Sequence, residues 1–124
     1  MNDTQKRLYA TALSQIEHNL ELLTPGLGLT EFVEKSWPIP DRHLNFRYSS
    51  SMHGVGMADE WPVAWHPIDS DESNQTEVSI EPGMVVCLES LIGEVRSESI
   101  KLETQVLITE TGTQRLDTFP WQDF

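Results

Sequence analysis

Cysteine is almost missing from this chain. Cys87 is the only one among 124 residues, so no disulfide can form within it. Its place in the apolar run "MVVCLES" points to a buried structural thiol in a reducing compartment. Positive charge is scarce as well. Eight basic residues face twenty acidic ones, a net charge of −12, which argues against nucleic acid or an anionic membrane surface as the natural partner. Long hydrophobic runs are lacking too. The longest, Met84 to Leu88, has five residues, far short of the roughly 20 that a membrane-spanning helix needs. The N-terminal stretch "MNDTQKRLYATALSQIEHNL" is too polar for a signal peptide. A soluble, cytoplasmic protein is expected, with no internal repeat and no low-complexity tract.

A hydrophobic share of 38% is enough for a core, and the length suits one small domain or part of a larger one. Leu8, Ala12, Leu13, Ile16, Leu20 and Leu23 recur at three- and four-residue steps, which predicts an amphipathic helix over about 4–23. Asn2 or Asp3 can cap its start, and "TPG" at 24–26 stops it. Thr30 is expected to open a shorter helix, about 30–37, that Pro38 and Pro40 end. Beyond that point the pattern turns to short β-rich runs: "LNFRYSS", "PVAWHPI", "MVVCLES", "SIKLETQVLITE" and "TQRLDTF". "PIDSDESNQTE" at 67–77 reads as a polar, acid-rich loop, and "EPGM" at 81–84 as a turn feeding a strand. Helices first and strands afterwards imply an α+β fold.

Three groups carry candidate chemistry. Glu89 follows five apolar residues, and Glu103 lies between Leu102 and the run that ends at Ile108. Carboxylates inside apolar strands are costly unless paired, hydrogen-bonded or bound to a metal. His53, in "SSMHGVGMADEWP", stands before two glycines, with Asp59 and Glu60 just beyond. An imidazole and two carboxylates suit a transition metal such as Fe, Mn, Co or Zn. The residues alone equally allow each glutamate to point outward from a half-exposed strand, since 36 and 14 positions separate the three.

"HGVGMADEWP", "EPGMVVCLES" and "SIKLETQVLITETG", in this order, resemble the C-terminal half of the pita-bread (creatinase/aminopeptidase) superfamily of metalloenzymes. The resemblance covers nearly the whole chain and implies helices packed on a curved antiparallel sheet. The superfamily's ligands are two aspartates, one histidine and two glutamates; by motif the last three fall on His53, Glu89 and Glu103. One or two divalent or trivalent ions are implied, iron first, with Mn, Co or Zn as alternatives.

Peptidases of the superfamily usually follow "HGIG" with a histidine–glutamate pair. Here the corresponding pair is Asp59-Glu60, one residue nearer, which resembles the dimethylsulfoniopropionate lyase branch. That branch places a base on Asp59 and a substrate-contacting tyrosine on Tyr48, and Trp61 or Trp65 could hold the sulfonium by cation–π contact. Gly54 and Gly56 are expected to let the backbone pass close beside the metal. The implied substrate is a small zwitterion. The alternatives are an Xaa-Pro peptidase or creatinase-like hydrolase, or a non-catalytic remnant that acts as a binding module. The two aspartate ligands of the superfamily precede the helix that starts here near Thr4. The chain is therefore expected to be the C-terminal part of a catalytic domain, a weak catalyst alone, which forms a homodimer or associates with the N-terminal part.

Overall fold

The computed structural model describes residues 1–124 apart from Ala58, Glu72, Gln75, Thr76 and Phe124, and apart from the side chain of Asp123. Three of these fall in the polar stretch expected at 67–77 and so lie outside the described residues.

The chain begins with helix α1, Asp3–Leu22. Asn2 caps it reciprocally: its side chain accepts from the Gln5 amide and the Gln5 side chain accepts from the Asn2 amide, both at 2.9 Å. Two otherwise orphaned donors of the first turn are thus satisfied. Leu8, Ala12 and Ile16 point inward at four-residue steps and are fully buried. Helix α2, Leu29–Lys35, starts one residue earlier than expected, at the Gly28 cap. Thr30 does not cap it; its hydroxyl donates instead to Glu77, at 2.7 Å. The helix ends at Lys35, capped by Ser36 two residues before Pro38, and buries Leu29 and Phe32.

Among the described residues, five strands form one sheet: β1 Ser50–Gly54, β2 Val63–Trp65, β3 Val85–Gly93, β4 Ser99–Thr109 and β5 Gly112–Arg115. Their order is β2-β1-β3-β4-β5 and every neighbouring pair is antiparallel. The α+β expectation holds, with one local correction. "LNFRYSS" is not a strand along its length: residues Asp41–Phe46 form a 3-10 helix, and the strand begins only at Ser50. The cause is His43, which is 1% exposed and hydrogen-bonds through Nδ1 to the Gly93 carbonyl at 2.8 Å. That bond pins the segment against the end of β3. "TQRLDTF" also contributes only its first half to β5. Beyond it, Asp117 accepts from the Phe119 amide at 3.1 Å, a turn contact that takes the chain off the sheet.

Successive side chains on a strand face opposite sides, and this alternation divides the sheet. Leu88, Ile92, Val106 and Ile108 are buried in the core with Leu8, Ile16 and Phe32 of the helices. Ser90 on the same face donates to Gln15 of α1 at 2.6 Å. Cys87, Glu89, Lys101, Glu103 and Gln105 occupy the alternate positions and so lie on the opposite face.

A candidate metal and substrate site

The β3–β4 ladder sets the site. Glu89 pairs directly with Glu103, Cys87 with Gln105 and Leu91 with Lys101. Across the other edge of β3, His53 of β1 pairs with Cys87. Three adjacent strands therefore deliver His53, Glu89 and Glu103 to one face. Together with Tyr48, Asp59 and Lys101 they line a cleft with about 360 Å³ of free space.

His53 Nε2 lies 3.8 Å from Glu89 Oε2, and its Nδ1 is 2.8 Å from the Gly54 carbonyl oxygen. A carbonyl can only accept, so Nδ1 carries the hydrogen, and in the neutral ring Nε2 presents its lone pair. Glu89 is 4% exposed, yet its Oε2 has no hydrogen-bond partner. With the ring neutral and Glu89 ionised, two acceptors face one another with no donor between them. A cation ligated by both atoms would remove that conflict, and an imidazole held by a carbonyl on its other nitrogen is the usual state of a metal-binding histidine. The donor set therefore fits a divalent metal, although among the described residues no three such side chains already form a closed ligand cluster.

Glu103 and Glu89 are joined by an ammonium. Lys101 Nζ lies 2.9 Å from Glu89 Oε1 and 2.5 Å from Glu103 Oε1, and 4.5 Å from the centre of the Tyr48 ring. Burial raises the Glu89 pKa, and the hydrogen bond with Glu103 adds to the rise; Lys101 and His53 oppose it. Glu103 shifts down, because Glu89 and then Lys101 hydrogen-bond to its charged form. Lys101 shifts up, chiefly through Glu103. The Cys87 thiol is pushed up to about 11 by burial and by the two nearby carboxylates, so it stays protonated and unreactive.

Asp59 lies at the exposed rim of this cleft, and its Oδ1 accepts from the Trp61 amide at 3.1 Å. Trp61 is 54% exposed and lines a neighbouring depression with Gly83 and Met84. Trp65 lines another cavity, against α2. Neither tryptophan lines the cleft that holds the carboxylates. Gly54 does permit a close approach, but the obstacle is the chain itself: a Cβ there would collide with the Trp61 carbonyl and lie 2.9 Å from Pro62 Cδ. At Gly56 a Cβ would sit 3.0 Å from the Asp59 carbonyl oxygen. Both glycines accommodate the returning 59–62 backbone, which carries Asp59 to the cleft.

The residue that reading the sequence passed over is Lys101. Its signal was present: in "KLE", Lys101 and Glu103 are two apart on a strand and must share a face.

The profile of metallopeptidase family M24 matches residues 1–110. The chain is 40% identical over 111 residues to the dimethylsulfoniopropionate lyase DddP of Roseovarius nubinhibens, covering 89% of this chain and 25% of that protein. It is 28% identical over 122 residues to the Xaa-Pro dipeptidase of Pyrococcus furiosus, covering 93% of this chain and 32% of the other. Among solved structures, the prolidase from Pyrococcus furiosus superposes with a TM-score of 0.73 at 25% identity, over 95% of this chain and 34% of that one. The prolidase from Pyrococcus horikoshii gives a TM-score of 0.77 at 24% identity, over 99% and 34%. The chain thus spans about a quarter to a third of the relatives it matches. Helices on one face of an antiparallel sheet, in the arrangement of the prolidases, make this part of a pita-bread fold, and the chain belongs to metallopeptidase family M24.

Proposed function

We propose that residues 1–124 form the C-terminal part of the catalytic domain of a metal-dependent dimethylsulfoniopropionate lyase, which cleaves its substrate to acrylate and dimethyl sulfide. The observation that carries this reading is the higher identity to the lyase (40%) than to the dipeptidase (28%), and the Asp59-Glu60 pair after "HGVG", which resembles the lyase branch, agrees with it. His53, Glu89 and Glu103 are assigned as metal ligands, and the unpartnered Glu89 Oε2 opposite His53 Nε2 supports that assignment.

The chemical difficulty is a proton on the carbon next to a carboxylate, whose removal places negative charge beside an existing one. A bound divalent cation would neutralise the substrate carboxylate and stabilise the charge that develops. Asp59 is assigned as the base that takes the proton. The Trp61 amide donates to its Oδ1, which leaves Oδ2 for the transfer. The electron pair of the broken C–H bond forms the new double bond as the C–S bond breaks and neutral sulfide leaves. Tyr48 offers an aromatic face at the cleft for the sulfonium, a face that Lys101 now approaches.

The test supplies the chain with Fe²⁺ and with the portion of the Roseovarius lyase that the alignment leaves uncovered, then measures dimethyl sulfide in the headspace. Sulfide release that Asp59→Asn abolishes while bound iron is retained is the expected result. Cleavage of Xaa-Pro dipeptides without sulfide release would replace the lyase reading with the peptidase one.

A further inference from the structure

We infer that the Lys101 ammonium is a built-in cation: it holds Glu89 and Glu103 together in the metal-free chain and must leave their Oε1 atoms before a metal can bridge both carboxylates. This inference rests on the assignment of those glutamates as ligands.

The geometry makes the case. Direct cross-strand pairing of Glu89 with Glu103 forces two carboxyl groups together, and whenever both are ionised, like charges directly opposite on a ladder are destabilising. Lys101 lies two residues before Glu103 on the same face and reaches one oxygen of each carboxylate, at 2.9 and 2.5 Å. A point charge on a flexible four-carbon stem suits this task. The ammonium does not reach the second Glu89 oxygen, which stays unpartnered opposite His53. The lysine thus leaves open only the edge of the site at Glu89 Oε2 and His53 Nε2, and it occupies the oxygens through which Glu89 and Glu103 share one cation.

The Lys101 side chain is 40% exposed, so it has solvent to swing into. Metal and lysine then compete for the same negative charge: whatever the lysine contributes to the metal-free fold, the metal must displace.

The experiment uses the purified chain and its Lys101→Met and Lys101→Arg variants, with Co²⁺ alone as the probe. Co²⁺ affinity is read from its visible absorption, and thermal stability is measured without metal. Lys101→Met should melt lower than wild type without metal, and should bind Co²⁺ about tenfold more tightly or better, since one competing charge beside the carboxylates is gone. Lys101→Arg should restore the metal-free melting temperature and bind Co²⁺ no more tightly than wild type. If wild type binds Co²⁺ and Lys101→Met binds it equally or more weakly, the lysine supports the metal rather than substituting for it, and the inference is overturned while the ligand assignment survives. Absence of Co²⁺ binding by all three proteins, even with the uncovered portion of the Roseovarius lyase supplied, would overturn the ligand assignment, and the inference with it.

Discussion

Replacing Gly54 with alanine tests the junction on which the site depends. The added methyl would enter the Trp61 carbonyl and lie 2.9 Å from Pro62 Cδ. Rigid backbone, not a flexible side chain, is in the way. Nor can the strand shift to make room. The Gly54 amide donates to the Pro62 carbonyl at 2.7 Å and the Val55 amide to the Val85 carbonyl at 2.9 Å, while Gly54 is paired with Val86 of β3. Overpacking of this kind costs about 1–3 kcal/mol, and the upper end is expected where backbone meets backbone. With a urea slope of about 1–3 kcal/mol per molar, the unfolding midpoint should fall by roughly 1 M. Gly56→Ala meets the Asp59 carbonyl oxygen only at 3.0 Å and should lose less than half as much. Urea unfolding followed by circular dichroism measures both. A Gly54→Ala midpoint equal to wild type, or a larger loss at Gly56, would refute the close approach as the reason for glycine in "HGVG".

Phe32 is fully buried against the sheet, so Phe32→Ala should cost about 3–5 kcal/mol in the same assay. Acid stability should depend on Asp117. Burial pushes its carboxyl up, but hydrogen bonds from Thr104, Arg115 and the Phe119 amide outweigh this and leave the pKa below its ordinary 3.8. The folded state then binds fewer protons than the unfolded one, so this contribution is complete above about pH 4 and is lost as pH falls through the lowered value. Asp117→Asn should flatten the stability profile below pH 4, and an unchanged acid limb in a pH series of urea melts would show that the depression is not there.

Much of this fold was legible because periodicity and punctuation are local. The 3.6-residue recurrence from Leu8 to Leu23 and the "TPG" stop mark α1, and the β-rich runs at 84–90 and 99–110 mark the central hairpin. What escaped has non-local causes. Residues 44–50 read as strand, yet the contact that holds the 41–46 3-10 helix in place is the Gly93 carbonyl, 50 positions away from His43. The glycines of "HGVG" were legible as a close approach, but what they approach is fixed only when the 59–62 segment returns. Glu89 and Glu103 stood out as carboxylates in apolar strands. Their direct opposition is a matter of hairpin register, which 14 residues of spacing does not specify, and the role of Lys101 follows from that register.

The placement of β3 has a consequence for motion. At Val86, Cys87 and Leu88 the strand is paired on both sides, with β1 and with β4, and its inward side chains are locked in the core. Amides in such a position open only when much of the protein opens. The peptide unit that carries Glu89 adjoins the stretch where amide hydrogens should exchange most slowly, while Lys101 and Asp59 are solvent-facing and rotate on far shorter timescales. The cleft therefore combines an anchored carboxylate with mobile neighbours: adaptation to a bound ion or substrate falls to side-chain rotation, and the backbone beneath it stays still.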